Sequence, residues 1–173
     1  AKIARKAKPN RSKTISQQEL DAPRRAKLLT AWTVLIVLNP SAFLIGRQMA
    51  SAIDAAAASE TFRLSMVIKR TATLAARYSA ASMYLQWRST ASAEWPPTEE
   101  QAFRFLVESA GAGRAATRAS RFMELLRFLH FVFGCEALEP VVNSMRLNGF
   151  ALERTLSLGC RKQAAPLTAS TVK

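Results

Sequence analysis

Thr117–Gly134, TRASRFMELLRFLHFVFG, decides how the rest of the chain is read. Ala119, Phe122, Leu125, Leu126, Leu129, Val132 and Phe133 recur at helical spacing, which predicts one amphipathic helix facing a core. Thr117 suits the N-cap, and Gly134 suits the left-handed residue that ends such a helix. Arg118 and Arg121 fall in the first turn, on the rim of the apolar stripe. Cations are mildly unfavourable at a helix N-terminus. Two readings stay open there: a solvated basic turn, or a place where an anion is met.

The chain has 173 residues, enough for one domain with a core, or two very small ones. Plentiful alanine and only 6 glycines predict helices throughout, and only the short Thr33–Leu38 is rich enough in β-branched residues to suggest a strand. Lys and Arg number 25 against 12 acids, a net charge of +13. That balance points to a polyanion, either nucleic acid or an acidic membrane surface. Cys135 and Cys160 lack CxxC spacing and are expected as reduced thiols of an intracellular protein, nuclear or cytoplasmic. The first residue is Ala1 rather than Met, which suggests a fragment or a processed form.

Residues 1–20 carry Lys2, Arg5, Lys6, Lys8, Arg11 and Lys13 against Glu19, and predict a disordered basic arm. Asp21-Ala22-Pro23 reads as a helix opening, for a helix from about Arg24 to Leu38 stopped by Asn39-Pro40. Its apolar half is shorter than the roughly 20 residues of a membrane span. Ser41–Ala58 reads as a second helix, so residues 21–60 form a helical hairpin of unassigned role.

Thr61–Ala93 has no acid but carries Arg63, Lys69, Arg70, Arg77 and Arg88. A helix is predicted from about Ala72 to Arg88, capped by Thr71 or Thr73, with Leu74, Tyr78, Ala81 and Leu85 inward. Lys69-Arg70-Thr71 stands at its start, where N–H groups and two cations could hold a phosphate; the alternative is a plain basic helix face. In Trp95-Pro96-Pro97-Thr98-Glu99-Glu100-Gln101, Thr98 and Gln101 form a capping box. The helix it opens runs to about Ser109 with Ala102, Phe103, Leu106 and Val107 inward, and Gly111–Gly113 makes a tight loop. Glu136–Pro140 reads as a turn into a further helix, which Asn148-Gly149 should break.

In this order the segments TATLAARYSAASMYLQWR, WPPTEEQAFRFLVESAGAG, AATRASRFMELLRFLHFVFG, VVNSMRLNG and RKQAAPLT resemble the core-binding domain of tyrosine recombinases, the family of the phage integrases. The resemblance covers about Lys69 to Thr168, chiefly through the T-R-x-x-R-F start, the Leu129-His130 pair and the Lys162–Thr168 end. It implies an all-α, SAM-like bundle of four to five helices over residues 61–163 that grips duplex DNA. The helical hairpin and the basic arm precede it, and residues 164–173 begin a linker to a catalytic half. By position it implies DNA contacts from Lys69, Arg70, Thr71 and Arg77, from Arg114, Thr117, Arg118 and Arg121, and from Arg161, Lys162 and Gln163. Most would touch phosphates; Arg118 is the candidate for a base edge. Self-association on DNA is compatible with this reading.

The family's chemistry needs a tyrosine nucleophile with arginines and histidines around the scissile phosphate. This sequence has no His-x-x-Arg, its one histidine, His130, reads as a packed, hydrogen-bonded residue, and Tyr78 belongs to a core stripe with Tyr84 beside it. No catalytic residue, metal cluster, cofactor motif or small-molecule substrate is expected, and duplex DNA is the expected partner. The other readings are a basic helical scaffold that packs on RNA or protein, and a membrane-associated helical hairpin.

Overall fold

The computed structural model describes residues 17–109 and 117–162, with the side chains of residues 21–109 and 117–157. Eight α-helices follow one another: α1 (Gln17–Val37), α2 (Leu44–Ala50), α3 (Ala55–Ser65), α4 (Thr71–Ala91), α5 (Glu99–Ser109), α6 (Thr117–Phe131), α7 (Glu139–Val142) and α8 (Met145–Lys162). Short 3-10 turns lead into α2 and α7, and no strand occurs among the described residues. The protein is an all-α bundle: after the end of α3, the described part of residues 61–163 holds the five helices α4 to α8, in line with the four to five expected there.

Helix α6 is the centre. Ala119, Phe122, Met123, Leu125, Leu126, Phe128 and Leu129 are all buried, so its apolar surface serves more than one neighbour. Against it lies α4, running antiparallel: Arg77 pairs with Glu124 at one level, and Tyr84 stacks on Phe122 at 5.5 Å towards the other end. On another side α8 packs through Leu147 and Ala151, both buried.

Residues 21–60 belong to this same core. Trp32 of α1 is fully buried, donates its indole N–H to Leu74 O at 3.2 Å, and meets Tyr78, Phe128 and Phe133 at 5.1–5.8 Å between ring centroids. Phe43, the residue before α2, and Phe62 of α3 close on Phe133. The expected two-helix hairpin is corrected accordingly. Asp54 accepts a hydrogen bond from Ala57 N–H at 2.7 Å and caps α3, so the alanine run opens a third helix instead of ending the second.

Two further boundaries differ. Helix α1 begins at Gln17, seven residues before the expected start at about Arg24 and within the stretch assigned to the arm, and it carries Pro23 inside it. Pro23 is the seventh residue of the helix and removes the one bond its N–H would make to Glu19 O, while Gln, Glu and Leu before it favour helix. Helix α8 runs straight through Asn148-Gly149. The Asn148 amide donates to Val142 O and Ser144 O and its oxygen accepts from Arg127, so the polar residue ties α7, α8 and α6 together and does not end the helix. Gly149 faces open space, so its cost is limited to roughly 1 kcal/mol of backbone entropy.

The helix ends satisfy one another. Gly134 takes φ +66°, and Phe133 and Gly134 offer their carbonyls to the N–H groups of Ile45 and Leu44 at 3.3 and 3.2 Å. The predicted capping box is present: Gln101 N–H donates to Thr98 Oγ at 3.4 Å and Thr98 N–H to Gln101 Oε at 3.2 Å. On α5, Phe105 is buried where Val107 was expected, and Val107 is exposed.

Candidate nucleic-acid interface

Most cations of the bundle are occupied by its own acids and carbonyls. Arg47 faces Glu136 at 3.8 Å, Arg63 grips Glu60 at 2.6 Å, Arg104 faces Glu108 at 3.6 Å and Arg146 meets Glu100 at 2.8 Å. The Arg63 hydrogen bond holds the Glu60 carboxyl below its usual range. Arg88 donates to Ala93 O at 2.8 Å, and Arg127 to Asn148 at 2.7 Å.

One corner is different. Helix α1 presents Arg24 and Lys27 to solvent, beside an open depression of about 600 Å³ floored by Ala75 and Tyr78 of α4. Between them in sequence, Arg25 reaches across to the chain entering α4 and donates to Lys69 O at 2.6 Å and to Met66 O. This clasp fixes the α3–α4 connection, so Lys69 and Arg70 stand at the first turn of α4. A second open depression, about 510 Å³, lies there between Asp21, Arg25, Lys69, Arg70 and Thr71. Among the described residues, Arg24, Lys27, Lys69 and Arg70 have no carboxylate within ion-pair distance.

The expected contact residues therefore divide. Lys69, Arg70 and Thr71 join the α1 cations at the corner. Arg77 is held by Glu124 of α6, which neutralises it. Thr117, Arg118 and Arg121 lie at the opposite end of the α4–α6 pair. There Arg118, half-buried, lines a cavity of about 520 Å³ with Trp87 and Thr90, while Thr117 and Arg121 are exposed. From Thr71 to Trp87 along α4 is about 25 Å at 1.5 Å per residue. Arg161 and Lys162 end α8, with their side chains outside the described residues, as are Arg114, Gln163, the arm before residue 17 and the linker from 164.

Sequence reasoning missed Arg24, Arg25 and Lys27. Their RRAK run stands directly before the apolar half of α1, but the hairpin reading gave that helix no partner. Only the docking of α1 on α4 brings two basic segments, distant in sequence, to one surface.

The residues considered for chemistry have structural work. His130 Nδ1 lies 2.9 Å from Cys135 O, where its N–H donates, as the packed reading predicts. Tyr84 is buried and donates its hydroxyl to Glu94 O at 3.0 Å, and burial pushes that hydroxyl well above the usual tyrosine range. Tyr78 packs edge-on against Trp32. Cys135 is a free, buried thiol, pushed up by the same desolvation. No helix among the described residues is long and apolar enough to cross a membrane. No known family model, curated protein or solved structure matches the chain.

Proposed function

We propose that the protein binds duplex DNA, as the DNA-gripping module of a tyrosine recombinase or mobile-element integrase. The observation that carries the binding is the corner of unpaired cations, Arg24, Lys27, Lys69 and Arg70, in a bundle whose other described arginines are largely engaged. Uncompensated like charges on one surface are an electrostatic cost that a polyanion removes. The basic residues between Lys2 and Lys13 precede Arg24 and Lys27 in sequence. The recombinase assignment rests on the ordered motifs from Lys69 to Thr168.

Binding at this corner is backbone-directed in this reading: its lysines and arginines meet phosphates, contacts that position the protein without reading bases. Arg118 and Arg121 form a second contact about 25 Å along α4, or about 7 base pairs of duplex at 3.4 Å each. A duplex laid along the α4 direction reaches both ends.

The test is a salt series of duplex titrations. Four phosphate contacts give a log–log slope of about −3.6, and any contribution from the arm steepens it. The variant Arg24→Ala/Lys27→Ala/Lys69→Ala/Arg70→Ala should lose about that much slope. Absence of binding at low salt, or an unchanged slope in the variant, overturns the reading. A clear preference for structured RNA in competition would replace duplex DNA by RNA as the partner.

A further inference from the structure

We propose that the outward face of α8 is a self-complementary seam on which a second copy of this chain docks, the two helices running antiparallel.

Helix α8 is two-faced. Leu147 and Ala151 are buried against α6. On the opposite side Met145 is 89% exposed, Leu152 59% and Leu156 62%. At 100° per residue these three and Gly149 lie within an arc of about 60°. A surface helix ordinarily turns charged and polar side chains to water, and between Met145 and Ser157 this arc holds none. The alternating steps of four and three residues from Met145 to Leu156 are those of a coiled-coil seam.

Shape and charge both name another α8 as the occupant. Gly149 is a notch in the seam, because a Cβ added there would meet nothing within 4 Å. With a two-fold axis between Phe150 and Ala151, Leu152 of each copy comes level with the notch of the other, and Met145 with Leu156. Arg146 and Glu153 flank the seam on the same side, about 20° apart around the helix. In this register Arg146 of one copy lies about 3 Å along the axis from Glu153 of the other, and the two-fold makes that pair twice. Arg146 already donates to Glu100 through Nη1 at 2.8 Å and keeps further N–H groups for a second carboxylate. A parallel, in-register pairing would set Arg146 and Glu153 against Asn148 and Thr155, with no charge to meet.

The seam is small. Three large side chains from each copy cover less than the roughly 1,200 Å² of stable complexes, and a net charge of +13 on each chain opposes their approach. The dimer is therefore weak and concentration-dependent. Salt separates it from DNA binding: screening relieves the repulsion and leaves apolar burial intact, so association holds as salt rises while duplex affinity falls.

The experiment is sedimentation equilibrium of the full chain at moderate salt, from about 10 µM to about 1 mM. The average mass should climb from that of one chain towards that of two. Leu152→Glu places a charge on an exposed position and should weaken association at least about tenfold, with the circular dichroism melt unchanged. Arg146→Glu and Glu153→Arg should each weaken it, and the double variant Arg146→Glu/Glu153→Arg should restore it. That restoration keeps the test decisive if Leu152→Glu disturbs the fold, since the swap leaves every apolar residue of the seam in place.

Register is read by cross-linking in a Cys160→Ser background, where the native thiol left is the buried Cys135. Chains carrying Met145→Cys should form disulfides with chains carrying Leu156→Cys, and neither with itself, because like positions stand about 16 Å apart along the antiparallel pair. A chain that stays single at the highest concentration overturns the proposal, as it would if another segment or another protein covers the seam. So does an association that the charge swap fails to restore, or one in which each cysteine variant links only to itself. None of these outcomes touches the DNA-binding reading, which the duplex titrations decide alone.

Discussion

Arg77 of α4 and Glu124 of α6 form an ion pair across the antiparallel interface at the centre of the bundle, with the arginine only 20% exposed. The pair separates two regions of positive charge and removes one cation from the surface between them. Glu124→Gln should cost up to about 1 kcal/mol of stability, within the range of partly exposed pairs. In titrations at fixed salt, Arg77→Ala should leave duplex affinity within about twofold, whereas a lysine or arginine truncated at the α1–α4 corner changes the salt slope by about one.

Trp32 ties residues 21–60 to the rest of the core. Trp32→Ala should destabilise by about 3–5 kcal/mol, because a fully buried indole, its hydrogen bond to Leu74 O and three aromatic contacts go together. Urea unfolding followed by fluorescence and by circular dichroism should give one coincident transition in the parent. A chain shortened to begin at Thr61 should lose that cooperative transition, since Phe62, Phe128 and Phe133 would each lose partners from α1 or α2.

Two glycines answer to different obstacles. At Gly46 an added Cβ would come 2.3 Å from Pro40 O, a backbone atom that cannot swing aside. At Gly134 it would meet the Leu44 side chain at 2.6 Å and also sit at φ +66°. Gly46→Ala should be the more damaging in chemical denaturation. For Gly134→Ala the nearest atom is the Leu44 Cβ, so Leu44→Gly, and not Leu44→Ala, should relieve the clash, leaving a left-handed penalty of about 1 kcal/mol.

Tyr84 makes stability fall at alkaline pH. Burial raises its hydroxyl above the ordinary tyrosine value, so the folded state holds a proton that the unfolded chain releases sooner. The stabilisation is fully present below about pH 10 and is lost as pH rises towards the folded-state value. Tyr84→Phe should cost about 1 kcal/mol at neutral pH, through the lost bond to Glu94 O, and should flatten the decline above pH 10. Denaturant midpoints at pH 7 and above pH 10 check both halves of the claim.

Local rules were legible where one segment contained its own instructions. The α6 stripe, the Thr98–Gln101 box, the left-handed Gly134, the Pro140 start of α7 and the hydrogen-bonded His130 all depend on residues close in sequence. Boundaries failed where a punctuating residue was put to tertiary use. Asn148 ties three elements instead of ending one, and Pro23 sits inside a helix. The basic corner escaped for the same reason: Arg24 and Lys27 meet Lys69 and Arg70 only because Trp32 docks α1 on α4. Single-segment patterns carry no information about that meeting.

The Arg25 clasp also links binding to folding. Docking α1 on α4 gathers Arg24, Arg25, Lys27, Lys69 and Arg70 from opposite ends of a long stretch of chain, and like charges resist being gathered. The docked state therefore holds electrostatic work that the open chain does not. Salt screens that work, and a polyanion that recognises only the gathered cations stabilises the docked state by mass action, by about 2.7 kcal/mol at a hundred times its Kd. Melting temperature should thus climb with polyanion concentration, making thermal stability itself a titration of the corner.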